Sequence, residues 1–441
     1  MTLDELKQAA AGGTVDTVLL ALADMEGRLQ GKRLTARHFL DDVAERGAEG
    51  CNYLLAVDVD METVGGYAMA SWDLGYGDFV LKPDMGTLRP VPWHEGTVML
   101  LADVQWEDGS DVVASPRQIL RRQLARLEER GLQAFAGTEL EFIVFKDTYE
   151  DAWKKGFRDL EPANLYNIDY SLLGSARVEP LIRRIRNEMV AAGMTVENSK
   201  GECNLGQHEI NFHYDEALRA ADDHVIYKNG AKEIAAQEEM SITFLAKYNE
   251  REGNSCHIHC SLERDGSNAF AADEQLFHRF IAGQIACMRE LCLFFAPHVN
   301  SYKRFAKGSF APTAVAWGND NRTCSLRVVG QGEGLRVENR LPGADVNPYL
   351  ALGATIAAGL HGIDNELELE PPLEGSAYES DKPRVPSNIY EARDLFAASE
   401  IAADAFGREV MEHYLNRAQV EIDAFEAAVT DWEKFRGFER L

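Results

Sequence analysis

The stretch that most constrains this chain is an apolar run, 135–145, that carries two carboxylates two residues apart, Glu139 and Glu141. If the run is a β-strand, successive side chains alternate between its faces, so both glutamates lie on one face while Leu140 and Phe142 point into a core. Neighbouring carboxylates repel each other unless a cation compensates them, which suggests a divalent metal site with oxygen ligands. An isolated Glu-x-Glu is more often a solvated strand face, so the metal interpretation depends on ligands further along the chain.

Two more carboxylates occur at a suitable place downstream. Glu202 and Glu209 bracket Gly206, and Glu209 alternates with the apolar Ile210 and Phe212. This alternation is typical of a half-buried strand, and it predicts that both carboxylates lie at the edge of the same sheet.

The sequence Cys256-His-Ile-His-Cys260 invites a zinc interpretation, because cysteine and histidine are the usual ligands of structural zinc. Strand alternation argues against it, since His257 and His259 share one face and both cysteines share the other. The histidines then face the glutamates. Several glutamate oxygens with one imidazole suit Mg²⁺ or Mn²⁺ better than an ion that prefers thiolates.

A third group of residues is basic. Five arginines stand out in the last third of an acidic chain, namely Arg304, Arg322, Arg327, Arg336 and Arg340. Arginine pairs bidentately with carboxylate or phosphate, so this group beside a metal site suits a nucleoside triphosphate and a carboxylic substrate; the alternative is a set of surface salt bridges. No P-loop sequence is present, and 330–334 leads into a strand, which favours a hairpin loop.

Composition narrows the class of protein. The chain has 441 residues, with 72 acidic and 45 basic side chains, giving a formal charge of -27. This charge argues against nucleic acid or an anionic membrane as the main partner. No apolar run is long enough to span a membrane, 1–13 resembles an acidic helix rather than a signal peptide, and the cytoplasm is the expected location. The seven cysteines are expected to be reduced.

The order of predicted elements indicates two domains of α+β class, 1–109 and 110–441. The first contains a helix over 3–11 and strands that include a predicted one over 53–59. The second has helices between the strands of a mainly antiparallel sheet, and a long loop is predicted over 146–175. The boundary is placed near Gly109 because Ser115-Pro116 follows as a helix start.

These motifs resemble the glutamine synthetase superfamily along nearly the whole chain. The residues that carry the resemblance are Gly137-Thr-Glu-Leu-Glu-Phe, Glu202 with Gly206-Gln-His-Glu-Ile-Asn-Phe, Cys256-His-Ile-His-Cys-Ser, Asn300-Ser-Tyr-Lys-Arg, Asn321-Arg322 with Arg327, and Arg336-Val-Glu-Asn-Arg-Leu-Pro. The resemblance implies a small N-terminal β-grasp domain, a large catalytic domain and a homo-oligomer, commonly a dodecamer of two hexameric rings.

The resemblance also implies roles for individual residues. The ligands of one divalent ion would be Glu141, Glu202 and Glu209, and those of the other Glu139, His257 and Glu338. The ATP side would comprise His259, Ser261, Arg322, Arg327 and Arg336, and the glutamate side Gly253, Arg304 and Arg340. Among these, Arg304, Arg322 and Arg340 are the expected catalytic arginines. The family reaction is phosphorylation of the glutamate side chain by ATP, followed by attack of an amine on the acyl phosphate.

Two departures from the family pattern concern the ammonium site. The Asp-Gly-Ser-Ser loop of ammonia-using members has no counterpart in 62–72, and Phe310 stands where the family has its flap glutamate. Glu252 also stands where the family pattern has an asparagine that binds glutamate. This replacement bears on which carboxylic substrate the chain accepts. A pocket without these carboxylates should bind ammonium poorly, whereas an aromatic ring suits a larger amine, so Phe310 is an expected substrate-binding residue.

The sequence therefore predicts a ligase of the γ-glutamylamide synthetase type that joins glutamate to an organic amine. Two alternatives remain open at this point. One is an ordinary glutamine synthetase that uses ammonia through a rearranged site. The other is a catalytically silent relative that serves as an assembly or sensor subunit, although the metal-ligand positions and the arginines are all kept.

Overall fold

The computed structural model describes all 441 residues. The strands are β1 (Thr17–Ala23), β2 (Leu29–Thr35), β3 (Ala48–Cys51), β4 (Asp78–Pro83), β5 (Arg89–Pro90), β6 (Thr97–Gln105), β7 (Gln133–Phe145), β8 (Val196–Gly201), β9 (Gln207–Phe212), β10 (Asp215–Glu216), β11 (Ser241–Thr243), β12 (Cys256–Arg264), β13 (Ser267–Asn268), β14 (Trp317–Asn319), β15 (Leu326–Val329) and β16 (Arg336–Asn339).

The α-helices are α1 (Leu3–Ala11), α2 (Ala36–His38), α3 (Ala44–Arg46), α4 (Pro116–Glu128), α5 (Tyr149–Lys154), α6 (Leu172–Ser175), α7 (Glu179–Ala191), α8 (Ala217–Gln237), α9 (Ala269–Ala272), α10 (Glu274–Cys287), α11 (Cys292–Phe295), α12 (Pro348–Asp364), α13 (Ile389–Ala397), α14 (Glu400–Phe406), α15 (Arg408–Ala427) and α16 (Asp431–Gly437). A π-helical turn, Phe39–Val43, joins α2 to α3, so the helix runs without a break over 36–46. None of these helices combines the length and apolar character that crossing a bilayer would require.

The first sheet is built from the N-terminal strands in the order β2-β1-β6-β4-β3, with β5 also paired to β6. One face packs against α1 and the helix that follows β2, where Leu6 and Phe39 are fully buried. The strand predicted over 53–59 is wrong, because Asn52–Leu55 forms a 3₁₀ turn. The run is apolar because Leu55 and Ala56 enter the core, and an apolar run alone does not distinguish a strand from a helical turn.

The second sheet carries the site. Its strands follow the order β14-β15-β16-β12-β7-β9-β8, and every pair along this path is antiparallel except β14 with β15. This arrangement confirms the predicted α+β class with a mainly antiparallel sheet. The domain boundary near Gly109 falls between β6 and α4, and the division into two domains stays a prediction.

Helices pack against one face of the second sheet, and the candidate site residues lie on the other face. The central helix α12 is buried almost all round, and it meets α10 so closely that a Cβ at Gly283 would overlap the backbone at Gly362. The loop predicted over 146–175 holds the short helices α5 and α6. All seven cysteines are free thiols, as predicted.

Candidate active site

The site is a row of side chains fixed by the register of neighbouring strands. Glu139 on β7 lies opposite His257 on β12, and Glu141 lies opposite Glu209 on β9. On the far side of β12, His259 lies opposite Glu338 of β16. Directly opposite residues bring their side chains to the same face, so residues that are far apart in sequence converge on one patch of the sheet.

Three groups of potential metal ligands result, and one of them, Asp169 with Glu202 and Cys203, shares Glu202 with the first set described next. Glu141, Glu202 and Glu209 form the first set, and Glu139, His257 and Glu338 form the second set; within each set the ligand atoms lie within 4.8 Å of one another. These are the two groupings that the sequence resemblance implied.

The first set is short of positive charge. Burial and the neighbouring Glu209 raise the pKa of Glu141 to about 7, and burial also raises the pKa of Glu209. One oxygen of Glu141 accepts hydrogen bonds from Gln207 Nε2 at 2.9 Å and from the backbone N–H of Ser255 at 2.7 Å. These bonds fix the orientation of the carboxylate, because both donors are parts of neighbouring strand ends.

The second set is well compensated. Glu338 is fully buried, and it accepts hydrogen bonds from Arg340 at 2.5 Å and Arg327 at 2.9 Å. Burial opposes ionisation of this carboxyl, but the charged Arg340 lowers its pKa below the usual range. Burial together with Arg340 lowers the pKa of His257 to about 4, so its imidazole is neutral near pH 7 and able to bind a metal ion.

A hydrogen-bond chain orders the part of the site around Glu139. Arg336 Nε donates to His259 Nδ1 at 3.1 Å, which leaves His259 Nε2 as the donor to Glu139 at 3.0 Å. His257 Nδ1 contacts the other Glu139 oxygen at 3.2 Å. Burial opposes ionisation of Glu139, but these imidazole contacts lower its pKa. Glu139 is therefore held as a carboxylate between two rings.

Two cavities meet at this carboxylate. The central cavity has a volume of about 540 Å³ and is lined by ligand residues of both sets together with Gly253, Phe310, Arg322, Arg327 and Arg340. The outer cavity, of about 350 Å³, is lined by His259, Ser261 and Arg336 among others. Glu139 lines both cavities, so a ligand in one could reach a ligand in the other across it.

One predicted residue, Arg304, does not line either cavity. Its guanidinium is buried and donates to the backbone carbonyls of residues 340–342 at 2.6 to 3.1 Å, and burial lowers its pKa to about 10. Its side chain lies under Gly253, where a Cβ would overlap both Arg304 and the carbonyl of Ala246. Arg304 therefore supports the wall that carries Arg340. Gly253, which has no side chain, lets its own backbone lie close to Arg304.

Sequence reasoning missed two residues that contact the ligand sets. Gln207 belongs to the Gly-Gln-His-Glu motif but received no role, although its amide binds Glu141. Lys200 forms ion pairs with Glu202 and Glu209. Its signal in the sequence was its position two residues before Glu202, since alternate residues of a strand share a face.

The donor groups fit divalent cations that prefer oxygen ligands. Five carboxylates and one imidazole make up the two sets, and no cysteine belongs to either. Cys256 and Cys260 are buried on the opposite side of β12 from His257 and His259, as strand alternation predicted. His257 Nδ1 faces oxygens of both Glu139 and Glu338, at 3.2 and 3.6 Å. A neutral ring carries at most one proton on this nitrogen, so it cannot donate a separate hydrogen bond to each carboxylate.

The chain is similar to known proteins along nearly its whole length. The family model described as "Glutamine synthetase, catalytic domain" matches residues 113–436. A γ-glutamylethanolamide synthetase, GlnA4, from Streptomyces coelicolor is 63% identical over 100% of this chain and 96% of its own length. A glutamate–isopropylamine ligase from a Pseudomonas species is 38% identical over 96% of this chain and 95% of its own length.

A solved structure of a GmaS/ADP complex superposes with a TM-score of 0.86 at 26% identity, covering 98% of this chain and 99% of that one. The match of the catalytic-domain model, the full-length relatives and the shared fold together confirm the resemblance drawn from the motifs. The chain belongs to the glutamine synthetase family.

Proposed function

We propose that this protein is an ATP-dependent ligase that joins the γ-carboxylate of glutamate to an organic amine, through a γ-glutamyl phosphate intermediate, with release of ADP and phosphate. The observation that carries the proposal is Phe310 in the wall of the central cavity, at the position where the family resemblance places the flap glutamate of ammonia-using members. The similarity to two ligases named for γ-glutamyl amides supports it.

In this proposal the first and second sets each hold one divalent cation, Mg²⁺ or Mn²⁺. When bound, these ions offset the negative charge of the nucleotide phosphates and of the carboxylate that receives the phosphoryl group. The chain's own part is to present five carboxylates and one neutral imidazole in fixed positions. The strand register supplies that rigidity, because each ligand stands on a paired strand or at its end.

The two cavities divide the substrates between them. ATP occupies the outer cavity, where Ser261 and His259 contact the nucleotide, and Arg336, Arg327 and Arg322 take its phosphates toward the central cavity. Forked guanidinium groups stabilise the charge that develops on the transferred phosphoryl group. Glutamate then lies in the central cavity beside Gly253 and Arg340, and Arg304 positions Arg340 through the backbone that it holds.

The amine enters the central cavity next to Phe310. This side chain remains 57% exposed, and its backbone adopts a left-handed conformation with φ of 58°. An exposed ring at the cavity wall offers an apolar surface to the carbon atoms of an amine, and its face attracts a cationic nitrogen. Ethanolamine is the first amine to test, because the relative at 63% identity is named for its amide.

The test is an amine panel. Purified protein with ATP, Mg²⁺ and glutamate is given ammonia, ethanolamine, alkylamines, polyamines or anilines, and phosphate release and the amide product are measured. We expect product with one class of organic amine and little with ammonia. Turnover with ammonia alone would contradict the proposal and favour an ordinary glutamine synthetase, whereas no turnover with any amine would favour a catalytically silent relative.

A substitution at Phe310 sharpens the same assay. Phe310→Glu restores a carboxylate at this position and should raise the rate with ammonia relative to the organic amine, because a carboxylate binds ammonium better than a ring does. Phe310→Leu is the matched control, since it removes the ring without adding charge. It should lower the rate with the organic amine and leave the rate with ammonia unchanged.

We also propose that the protein works as a ring-shaped homo-oligomer, a dodecamer of two hexameric rings. Leu172 and Leu173 are 89% and 83% exposed, and Trp432 and Phe438 are 67% and 93% exposed, which is unusual for large apolar side chains on a monomer. Mass measurement by light scattering tests this assembly. A monomer at micromolar concentration would contradict it.

A further inference from the structure

Lys200 contacts the first set directly. It stands on β8 opposite Glu209 on β9, so both side chains point to the same face of the sheet. Its ammonium forms an ion pair with Glu202, and it lies 3.6 Å from Glu209 Oε1. No other lysine, arginine or histidine forms an ion pair with Glu141, Glu202 or Glu209.

The oxygens that Lys200 contacts are also those that would bind the ion of the first set. A carboxylate oxygen has limited capacity for cations, and an ammonium at this distance repels a divalent ion strongly in a partly buried site. The Lys200 side chain is only 19% exposed, so water screens this repulsion incompletely. The Lys200 ammonium and the divalent ion therefore weaken each other's binding to these oxygens.

A second place for the ammonium lies alongside. Lys200 Nζ is 4.9 Å from the centre of the Tyr170 ring, which also lines the central cavity. An aromatic face attracts an ammonium group, and Tyr170 is 72% exposed, so water can also reach it there. The lysine thus has a partner to remain with when its contacts to the glutamates are lost.

We propose that Lys200 is an internal counter-cation that competes with the divalent ion for Glu202 and Glu209, and so sets the metal concentration at which the first set fills. This inference rests on the proposed metal-binding role of that set. Lys200 stabilises the metal-free site by offsetting the repulsion among the three glutamates, and binding of the ion displaces its ammonium toward Tyr170.

The proposal predicts effects of opposite sign on stability and on metal binding. Lys200→Gln removes the charge, so the melting temperature of the metal-free protein should fall by about 2 °C while Mn²⁺ binds about tenfold more tightly. A lysine that merely holds Glu202 in place would give the opposite metal result, since its loss would weaken binding.

The experiment is calorimetric titration of the full-length protein with Mn²⁺, paired with thermal melts in chelator, for wild type, Lys200→Gln and Lys200→Arg. The arginine variant keeps the charge and should bind Mn²⁺ within about threefold of wild type. Lys146→Gln is the matched control, because it removes a lysine from an exposed ion pair with Glu161 and should leave Mn²⁺ affinity unchanged.

The outcomes separate the two proposals. If wild type binds no Mn²⁺, the proposed metal site is wrong; if wild type binds and Lys200→Gln binds equally or more weakly, the competition is wrong. If Lys200→Gln does not fold, a second measurement on the wild-type protein tests the proposal. Labelling of Lys200 by an amine-reactive reagent, followed by mass spectrometry, should increase about threefold or more on saturation with Mn²⁺, because the side chain is then no longer held by Glu202 and Glu209. No increase would overturn the proposal.

Discussion

The two ligand sets lie side by side on one sheet, yet their charges are balanced in different ways. The Glu338 carboxylate of the second set is fully buried between Arg327 and Arg340, and its pKa is lowered. Glu141 of the first set is also buried, but it has no arginine partner and its pKa is raised to about 7. The protein itself neutralises the second set, whereas the first set depends on a cation that it binds and on one lysine.

This difference indicates a division of labour. A carboxylate whose partners are built into neighbouring strands contributes to the folded state whether or not an ion is present. Buried carboxylates without such partners oppose folding until a cation arrives, which is common where a site is shaped for binding. The following predictions test this contrast.

The largest effect is expected from Glu338→Ala. The change leaves Arg327 and Arg340 beside a cavity without their carboxylate, and breaking a buried ion pair in this way costs about 3–5 kcal/mol of unfolding free energy. Denaturant unfolding in chelator measures it. Glu161→Ala, which breaks an exposed pair with Lys146, is the control and should cost less than about 1 kcal/mol. An equal loss of unfolding free energy in the two variants would contradict the claim that the protein itself neutralises the second set.

Glu141→Gln should act in the opposite direction on the metal-free protein. The folded pKa of Glu141 is raised above its usual 4.5 to about 7, so folding favours the protonated form, and stability from this group is lost as the pH rises through 7. Glutamine keeps an acceptor for Gln207 and Ser255 and should raise the unfolding free energy at pH 8 by about 1–3 kcal/mol. At pH 4, below the unfolded pKa of 4.5, the gain should vanish. A loss of stability at pH 8 would show that Glu141 is compensated after all.

Metal binding to the first set should depend on pH more steeply than binding to the second. Because Glu141 and Glu209 have raised pKa values, they must lose protons to bind an ion, so affinity should fall by up to about tenfold for each pH unit below 7. The lowered pKa values of Glu139, Glu338 and His257 predict a flat profile for the second set down to about pH 5. Mn²⁺ titrations between pH 5.5 and 8 resolve the two classes, and parallel profiles would contradict the account.

The smallest effect is expected from Cys256→Ala. This thiol is buried on the other side of β12 from His257, and burial raises its pKa to about 12. Removing it should cost about 1 kcal/mol of unfolding free energy and leave kcat and bound metal within about twofold. Loss of a bound ion, measured by elemental analysis, would revive the zinc interpretation and end the comparison of two oxygen-rich sets.

Strand alternation and motif spacing were enough to predict much of the site. The shared face of Glu139 and Glu141, and the separation of the histidines from the cysteines on β12, follow from the two-residue period of a strand. The cross-strand pairs do not follow from it, because which residues lie opposite each other depends on the register of strands that are distant in sequence. The family resemblance supplied that grouping, and the sheet now gives its physical basis.

Other features needed the tertiary structure. The apolar run at 53–59 was predicted as a strand, but Asn52–Leu55 turns as a 3₁₀ helix so that Leu55 can enter the core. The predicted contact of Arg304 with substrate stays a prediction, and the structure adds a role that the sequence did not indicate, because one guanidinium nitrogen holds backbone carbonyls in the wall. Such roles depend on three-dimensional neighbours, and local sequence patterns carry no signal for them.

The most direct test of the central claim is a crystal structure with Mn²⁺ and ADP, using the anomalous scattering of manganese to locate the ions. The account predicts two peaks in each chain, one within coordination distance of Glu141, Glu202 and Glu209 and the other of Glu139, His257 and Glu338. A single peak, or peaks away from these side chains, would contradict it.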